Sequence, residues 1–335
     1  MRIGLGCMRL STARERDDER AVAVMHAALD AGATVLDTAD AYALDAEDRG
    51  HNERLVARAL ASWPGDRSKV TVATKGGMTR PDGKWVADGR ARSLASACEA
   101  SLEALGRIDL YQLHAPDPRT PFETSVRALA RLKEAKLIDA IGLCNVNVAQ
   151  IDKARSIVPI AAVQVALSWR DDGALRSGVV RHCAALGIEL LAHSPLGGWR
   201  RRGRVHPVLE SIAQDCETAP EVVALAWLLT LGVTPLVGAT RVETAKQLAL
   251  ARSLELDERA RTQLDEAFPA ASLARTRMMT SSGDAEVVLI SGIAGAGKSR
   301  LAERYVERGY KRLNRDEQGG KLTQLLPALE QGLSS

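Results

Sequence analysis

The sequence predicts an α/β protein: a closed (β/α)8 barrel of the TIM type, followed by a truncated α/β fragment. Three observations predict it. Short apolar runs alternate with longer amphipathic stretches through most of the 335 residues. Glycine and proline stand at the ends of those stretches, where helices stop and start. After Phe268 the pattern breaks, and a new apolar run leads straight into a glycine-rich turn.

The apolar runs are Ile3–Cys7, Thr34–Leu36, Val70–Thr74, Asp109–Leu113, Ile138–Leu143, Ala161–Val165, Ile188–Ala192 and Val233–Val237. Their Val, Ile and Leu content is that of parallel strands buried on both faces. Between them, Asp18 to Ala31 reads as a helix closed by Gly32, and Ala91 to Leu105 as one closed by Gly106. Pro121 to Ala135 and Pro220 to Leu231 each open on a first-turn proline, and Gly232 ends the second. Eight strands alternating with helices predict a closed barrel, with an open doubly wound sheet as the alternative. Gly4-Leu5-Gly6 resembles the start of a dinucleotide fingerprint, but Arg9 stands where its last glycine belongs. The segment therefore reads as the first barrel strand. The predicted organisation is a barrel over 1–268, a linker over 269–285 rich in Ala, Ser, Thr and Arg, and an incomplete domain over 286–335.

Composition narrows the class. Apolar residues make up 46% of the chain, enough for a packed core, while aromatics are 3%, so that core must be aliphatic. A net charge of +3 argues neither for nor against a polyanionic partner. Cys7, Cys98, Cys144, Cys183 and Cys216 are scattered, odd in number and without C-x-x-C spacing. That pattern suits reduced thiols in a cytoplasmic protein, with neither a disulfide framework nor a zinc site. The first ten residues lack a signal-peptide core, and the longest apolar stretch, Val222 to Leu231, is half a membrane span. No membrane partner is expected, and the pattern fixes no oligomeric state.

Chemistry in such a barrel sits at the C-terminal ends of its strands. The polar residues that end the apolar runs are Asp37, Lys75, His114, Asn145, Gln164 and His193, with Tyr42 on the loop after Asp37. Four of them compose a proton-transfer unit. A free phenol is a poor acid at neutral pH, and an ammonium beside it stabilises the phenolate. Lys75 supplies that charge, Asp37 orients Lys75, and His114 bonds the substrate oxygen. Tyr42 then gives its proton to a carbonyl oxygen as general acid, its pKa expected to be lowered toward working pH.

The segments LDTADAY (36–42), VATKGG (72–77), LYQLH (110–114) and IGLCNV (141–146) stand in the order and spacing of the aldo-keto reductase signatures. The resemblance covers about residues 1–268. It implies a barrel, an NADPH or NADH cofactor, a small-molecule carbonyl substrate, and the tetrad Asp37, Tyr42, Lys75 and His114. It also implies cofactor contacts. Cys7, Met8 and Asp37 would lie along it, with Cys144, Asn145 and Gln164 at the nicotinamide carboxamide. His193 would stack on the ring, where the family usually has tyrosine. Ser194 and Leu196, in the SPLGG stretch, resemble the pyrophosphate loop. Gly238, Thr240 and Arg241 resemble the adenosine-phosphate loop, with Gln247 where glutamate is common. Thr240 or Arg241 would meet a 2′-phosphate, which favours NADPH. The family's hairpin before the first barrel strand has no counterpart here. Alone, Asp37 with Lys75 reads as a structural ion pair and His114 as a satisfied core residue. Within the four motifs they read as a site. Trp85 and Trp199 are expected to wall the substrate pocket, and Arg200 to Arg204 reads as a solvated loop or a lid over cofactor phosphates.

The C-terminal fragment carries a second signal. Gly292-Ile-Ala-Gly295-Ala-Gly297-Lys298-Ser299 fits a P-loop, after the strand Glu286–Ser291 and before a helical pattern from Arg300 to Arg308. Such glycines let backbone N–H groups approach ATP phosphates, with Lys298 reaching them and Ser299 ligating Mg²⁺. The stretch from Tyr310 to Gly320 resembles polynucleotide 5′-hydroxyl kinases, which would make Asp316 the base. Nucleic acid is expected as a partner only through this fragment. The expected activity is reduction of an aldehyde or ketone. The alternatives are an NAD(P)H-sensing barrel, or a scaffold barrel, attached to an ATP-dependent kinase that is incomplete in this chain.

Overall fold

The computed structural model describes residues 2–198, 204–275, 298–307, 310 and 312. The chain divides into two compact units, Met1–Met278 and Met279–Ser335. In the second unit a helix spans Lys298–Val306, two residues ahead of the expected start. The expected strand over 286–291, the glycines at 292, 295 and 297, and Asp316 lie outside the described residues.

The first unit is a closed barrel of eight parallel strands. They are β1 (Gly4–Gly6), β2 (Val35–Asp37), β3 (Thr71–Gly76), β6 (Leu110–Leu113), β7 (Ile141–Cys144), β8 (Ala162–Ala166), β9 (Glu189–His193) and β10 (Thr234–Gly238). They close in the order β1-β10-β9-β8-β7-β6-β3-β2, so the open-sheet alternative is excluded. Between β3 and β6 a small antiparallel ladder pairs β4 (Met78–Thr79) with β5 (Val86–Ala87). The sequence reading missed it, because two-residue strands show no alternation. Most ladders run one or two residues beyond the apolar runs. Asp37, Gln164 and His193 are strand residues paired on both sides, and Lys75 is a strand residue paired with Gln112 of β6.

Alternation then sets the interior. Val35, Ala73, Leu110, Ala162, Leu191 and Leu236 form one apolar cluster inside the barrel. Two residues further along the same strands come Asp37, Lys75, Gln112, Gln164, His193 and Gly238. Side chains at i and i+2 share a face, so a polar layer stands directly above the apolar one. One glycine makes room in each layer. A Cβ at Gly142 would stand 2.8 Å from Gln112 Cγ, and one at Gly4 would stand 2.7 Å from the Leu236 side chain.

The outward faces pack against helices in two larger cores. One, built on β6 to β9, includes Trp227, Leu129 and Ile151, and the other, built on β1 to β3, includes Met25, Leu36 and Val56. The helices Asp18–Asp30 and Ala91–Leu105 close where glycine signals predicted, the first one residue early. Pro121 is the N-cap of Phe122–Glu134 and lies outside the helix. The start of the expected linker is helical instead, over Ala271–Arg275, and Ala270 and Ala271 are buried. These small side chains fit against the barrel, which is why the stretch shows no wider apolar stripe. At the barrel bottom Arg2 donates to Glu189 at 2.8 Å and to Thr71 Oγ1 at 2.7 Å. Among the described residues no helix is long and apolar enough to cross a membrane, and the five cysteines are free.

One outer helix, His51–Ser62, steadies the mouth of the barrel. The carboxamide of Asn52, fully buried, accepts from Thr38 Oγ1 at 2.7 Å and donates to the Cys7 carbonyl at 2.9 Å. It thus ties the loop after β1 to the loop after β2. The next residue, Glu53, is also fully buried and accepts from Thr74 Oγ1 at 2.5 Å, while its Oε2 has no partner among the described residues. Burial pushes its carboxyl up to about 7, against the pull of the Thr74 hydroxyl. The unfolded chain loses this proton near the ordinary carboxylate value, whereas the folded chain keeps it until about pH 7. Stability from this group therefore falls as pH rises through that window. Glu53→Gln is expected to gain about 2 kcal/mol on the wild type between pH 5.5 and pH 8, as measured by urea unfolding at both values.

Candidate active site

The interior polar layer and the loop after β2 bring the predicted tetrad together. Lys75, 1% exposed, donates from Nζ to Asp37 Oδ2 at 2.8 Å, to the Thr38 carbonyl at 2.9 Å and to the Tyr42 hydroxyl oxygen at 2.8 Å. An ammonium has three N–H donors, and here all three are used. Because Lys75 donates to the Tyr42 oxygen, the phenol's own proton must point elsewhere. Asp37 is held from its other side, where Gln164 Nε2 donates to Oδ1 at 2.7 Å. Behind Gln164, Gln112 Oε1 accepts from the Cys144 thiol at 3.5 Å. Gln112 is the residue that sequence reasoning missed. Its signal was available: a polar side chain inside LYQLH, two residues before His114.

Electrostatics follow from burial. Desolvation works against the charge on Lys75, but Asp37, with Tyr42 and Cys144 adding, more than offsets it, and the lysine pKa rises. For Tyr42, burial pushes the phenol up and Lys75 pulls it down, and burial wins. The expectation of a lowered Tyr42 pKa is therefore corrected. Lys75 fixes the direction of the hydroxyl, and desolvation keeps it protonated. His114 stands beside Tyr42, with ring centroids 5.7 Å apart. Burial, Lys75 and His193 all push its pKa well below the ordinary histidine value, so the ring is neutral. Its side chain makes no hydrogen bond among the described residues, and its Nδ1 is buried. A neutral imidazole next to a phenol whose proton is free can hold one oxygen atom between them.

The predicted cofactor residues lie around the same mouth. Asn145, at φ 58°, donates from Nδ2 to the His114 carbonyl at 3.1 Å. Its Oδ1 lies 3.3 Å from His193 Nε2. Ser194, at φ 55°, turns the chain out of β9, and Gly197 and Gly198 follow in the left-handed region. A non-glycine residue holding such a backbone is uncommon, and two of them flank one mouth. Gly238 ends β10, and a Cβ there would meet nothing within 4 Å. Thr240 and Arg241 are exposed, and Arg241 stands at the N-cap of Val242–Ser253 with no side-chain cap bond. Gln247 is on that helix, half-buried. Uncapped helix N–H groups beside an arginine suit a phosphate. Cys7 and Cys144 are buried and Met8 half-buried, so the thiols pack beneath the mouth. The donor set fits a dinucleotide: carboxamides at one end, and glycine turns and an exposed arginine at the other. Trp85 reaches the mouth, with its ring 6.2 Å from Tyr42 and 6.0 Å from His114. Trp199 and Arg200 to Gly203 lie outside the described residues.

Comparison with known proteins agrees with this geometry. The model of the aldo/keto reductase family matches residues 2–268. A curated relative, "Probable aldo-keto reductase 1" of Glycine max, is 31% identical over 314 residues, covering 82% of this chain and 88% of its own. Among solved structures, a thermostable aldo-keto reductase in complex with the inhibitor epalrestat superposes with a TM-score of 0.69 at 28% identity, over 79% of this chain and 94% of that one. The glycerol dehydrogenase of Gluconobacter oxydans gives a TM-score of 0.69 at 24% identity, over 86% and 95%, which bears on the fold alone. The chain belongs to the aldo/keto reductase family, whose members are oxidoreductases that use NADPH or NADH.

Proposed function

We propose that this chain reduces an aldehyde or ketone to an alcohol, with Tyr42 as the general acid. One observation carries the reading. The only route for the Tyr42 proton is away from Lys75, because the lysine already donates to the phenol oxygen. Bound nicotinamide supplies the hydride. The residues of the chain do the rest. Neutral His114 donates a hydrogen bond to the carbonyl oxygen and orients it. Tyr42 donates its proton to that oxygen as negative charge develops there. Lys75 stabilises the resulting phenolate without moving, since its position is fixed by Asp37 and the Thr38 carbonyl. Donors placed in advance at a developing charge lower the barrier most where water is excluded.

The cofactor contacts follow the same support. Asn145 and Gln164 are the carboxamide partners and His193 the stacking ring. Ser194, Leu196 and the glycines after it take the pyrophosphate. Gly238, Thr240, Arg241 and Gln247 take the adenosine end, with Cys7, Met8 and Cys144 packed beneath. Arg241, exposed and without an ion pair among the described residues, favours NADPH over NADH.

Tyr42→Phe keeps the ring and removes the acid. It is expected to lower kcat for an aromatic aldehyde by at least about a thousandfold, with NADPH affinity within about threefold. Undiminished turnover in this variant, followed by NADPH absorbance, overturns the reading. The pH dependence is a second check. Tyr42 has its pKa raised, so its acid form persists above the ordinary phenol value. Reduction is therefore expected to hold its kcat from pH 7 to pH 9, while alcohol oxidation, which needs the phenolate, rises over that range. A fall in kcat for reduction with a midpoint near pH 7 would assign the proton to another group.

A further inference from the structure

The loop between β4 and β5 stands at the mouth of the site and carries a cation, Arg80, with no ion pair among the described residues. It is a rigid loop. Thr79 Oγ1 donates to the Val86 carbonyl at 3.1 Å, and the Gly83 and Lys84 amides donate back to Arg80 and Pro81 at 3.1 and 2.9 Å. Its end carries Trp85, edge-on to Tyr42 and His114 and still 45% exposed. A large indole left open beside the tetrad is an apolar surface for the body of a substrate. Its outer face is covered by Arg80, whose guanidinium carbon lies 3.9 Å from the ring centroid.

Arg80 differs from the arginines around it. Arg49 pairs with Asp40, Arg90 with Asp88 and Arg119 with Asp117. Arg80 forms no ion pair among the described residues. Its one side-chain bond runs from Nη2 to the Leu44 carbonyl at 3.3 Å, and its Nε is buried without a partner. Burial lowers its pKa, and the charge of Asp45 opposes that only weakly. A guanidinium lying over an indole leaves its Nη end open, and that end suits the oxygens of a carboxylate. Nη1, which makes no hydrogen bond among the described residues and is not buried, is the donor such a ligand would meet.

We propose that Arg80, stacked on Trp85, binds the carboxylate of the substrate, so that the chain's substrates are carbonyl compounds that also carry an anionic carboxylate. The inference rests on the reductase reading for the carbonyl end and adds the substrate class. The shared chemistry is that of an anion gripped by a guanidinium fork, which suits carboxylate and phosphate alike, and the test separates the two.

The test compares 4-carboxybenzaldehyde with 4-methylbenzaldehyde, which has the same shape and no charge, in the wild type and in Arg80→Met, which keeps an apolar chain on the indole. The expected ratio of kcat/KM, carboxy over methyl, is about ten in the wild type and near one in Arg80→Met, the loss of one charge-assisted contact. A ratio unchanged by Arg80→Met overturns the inference while leaving the reductase reading intact. 4-Formylphenyl phosphate preferred over 4-carboxybenzaldehyde overturns the choice of carboxylate. Benzoate binding to the NADPH complex, followed by calorimetry, needs no turnover. Affinity reduced about tenfold in Arg80→Met supports the anion contact even if both aldehydes fail as substrates, a failure that would count against the reductase reading alone. Equal benzoate affinity in the two proteins counts against the anion contact.

Discussion

A buried ammonium governs this structure. Lys75 sits at the centre of the barrel with almost no exposure, and isolating such a charge from water is prohibitive unless each of its protons meets an acceptor. Here the acceptors are one carboxylate, one backbone carbonyl and one phenol. The first compensates the charge, the second fixes its position, and the third turns the arrangement toward chemistry. Removing any of them leaves a donor stranded in a dry interior. Under the proposed function, the requirements of stability and of proton transfer fall on the same three contacts.

The barrel is what makes that arrangement affordable. Its closed ladder leaves no edge, so polar side chains enter the interior at fixed heights. An apolar layer seals the barrel from below, and the polar layer two residues higher faces the mouth. Gln164 and Gln112 continue the hydrogen bonding from Asp37 across the barrel to Cys144, and Gly142 leaves the space Gln112 needs. Outside, Asn52 ties the loops after β1 and β2 together, so the Thr38 carbonyl that receives Lys75 is itself held. Positioning thus extends two contacts outward from Lys75 and Asp37.

Much of this was legible in the chain. Eight apolar runs announced eight strands because parallel barrel strands are buried on both sides. The tetrad was legible because polar residues at the ends of such runs have no core reason to be there, and four motifs repeated the point. What sequence could not supply was distance. The electrostatic consequence for Tyr42 was read with the wrong sign, since a neighbouring ammonium is visible in the sequence and the depth of burial is not. Gln112 was overlooked because it interrupts an apolar run without ending it. Asn52 gave no signal, as its role depends on two loops far away in the chain. Arg80 and Trp85 meet through a hairpin too short to announce itself.

Under the proposed function, the charge of Lys75 is the functional core of the site. Removing that lysine alone would strand Asp37, so the decisive protein carries Asp37→Asn together with Lys75→Met, which is neutral throughout. The measurement is the single-turnover rate of NADPH oxidation with an aromatic aldehyde, taken beside NADPH affinity and the circular dichroism of the folded chain. The predicted result is a loss of at least about a thousandfold in the rate, with fold and cofactor affinity retained. A neutral pair that turns over within tenfold of the wild type would contradict the account.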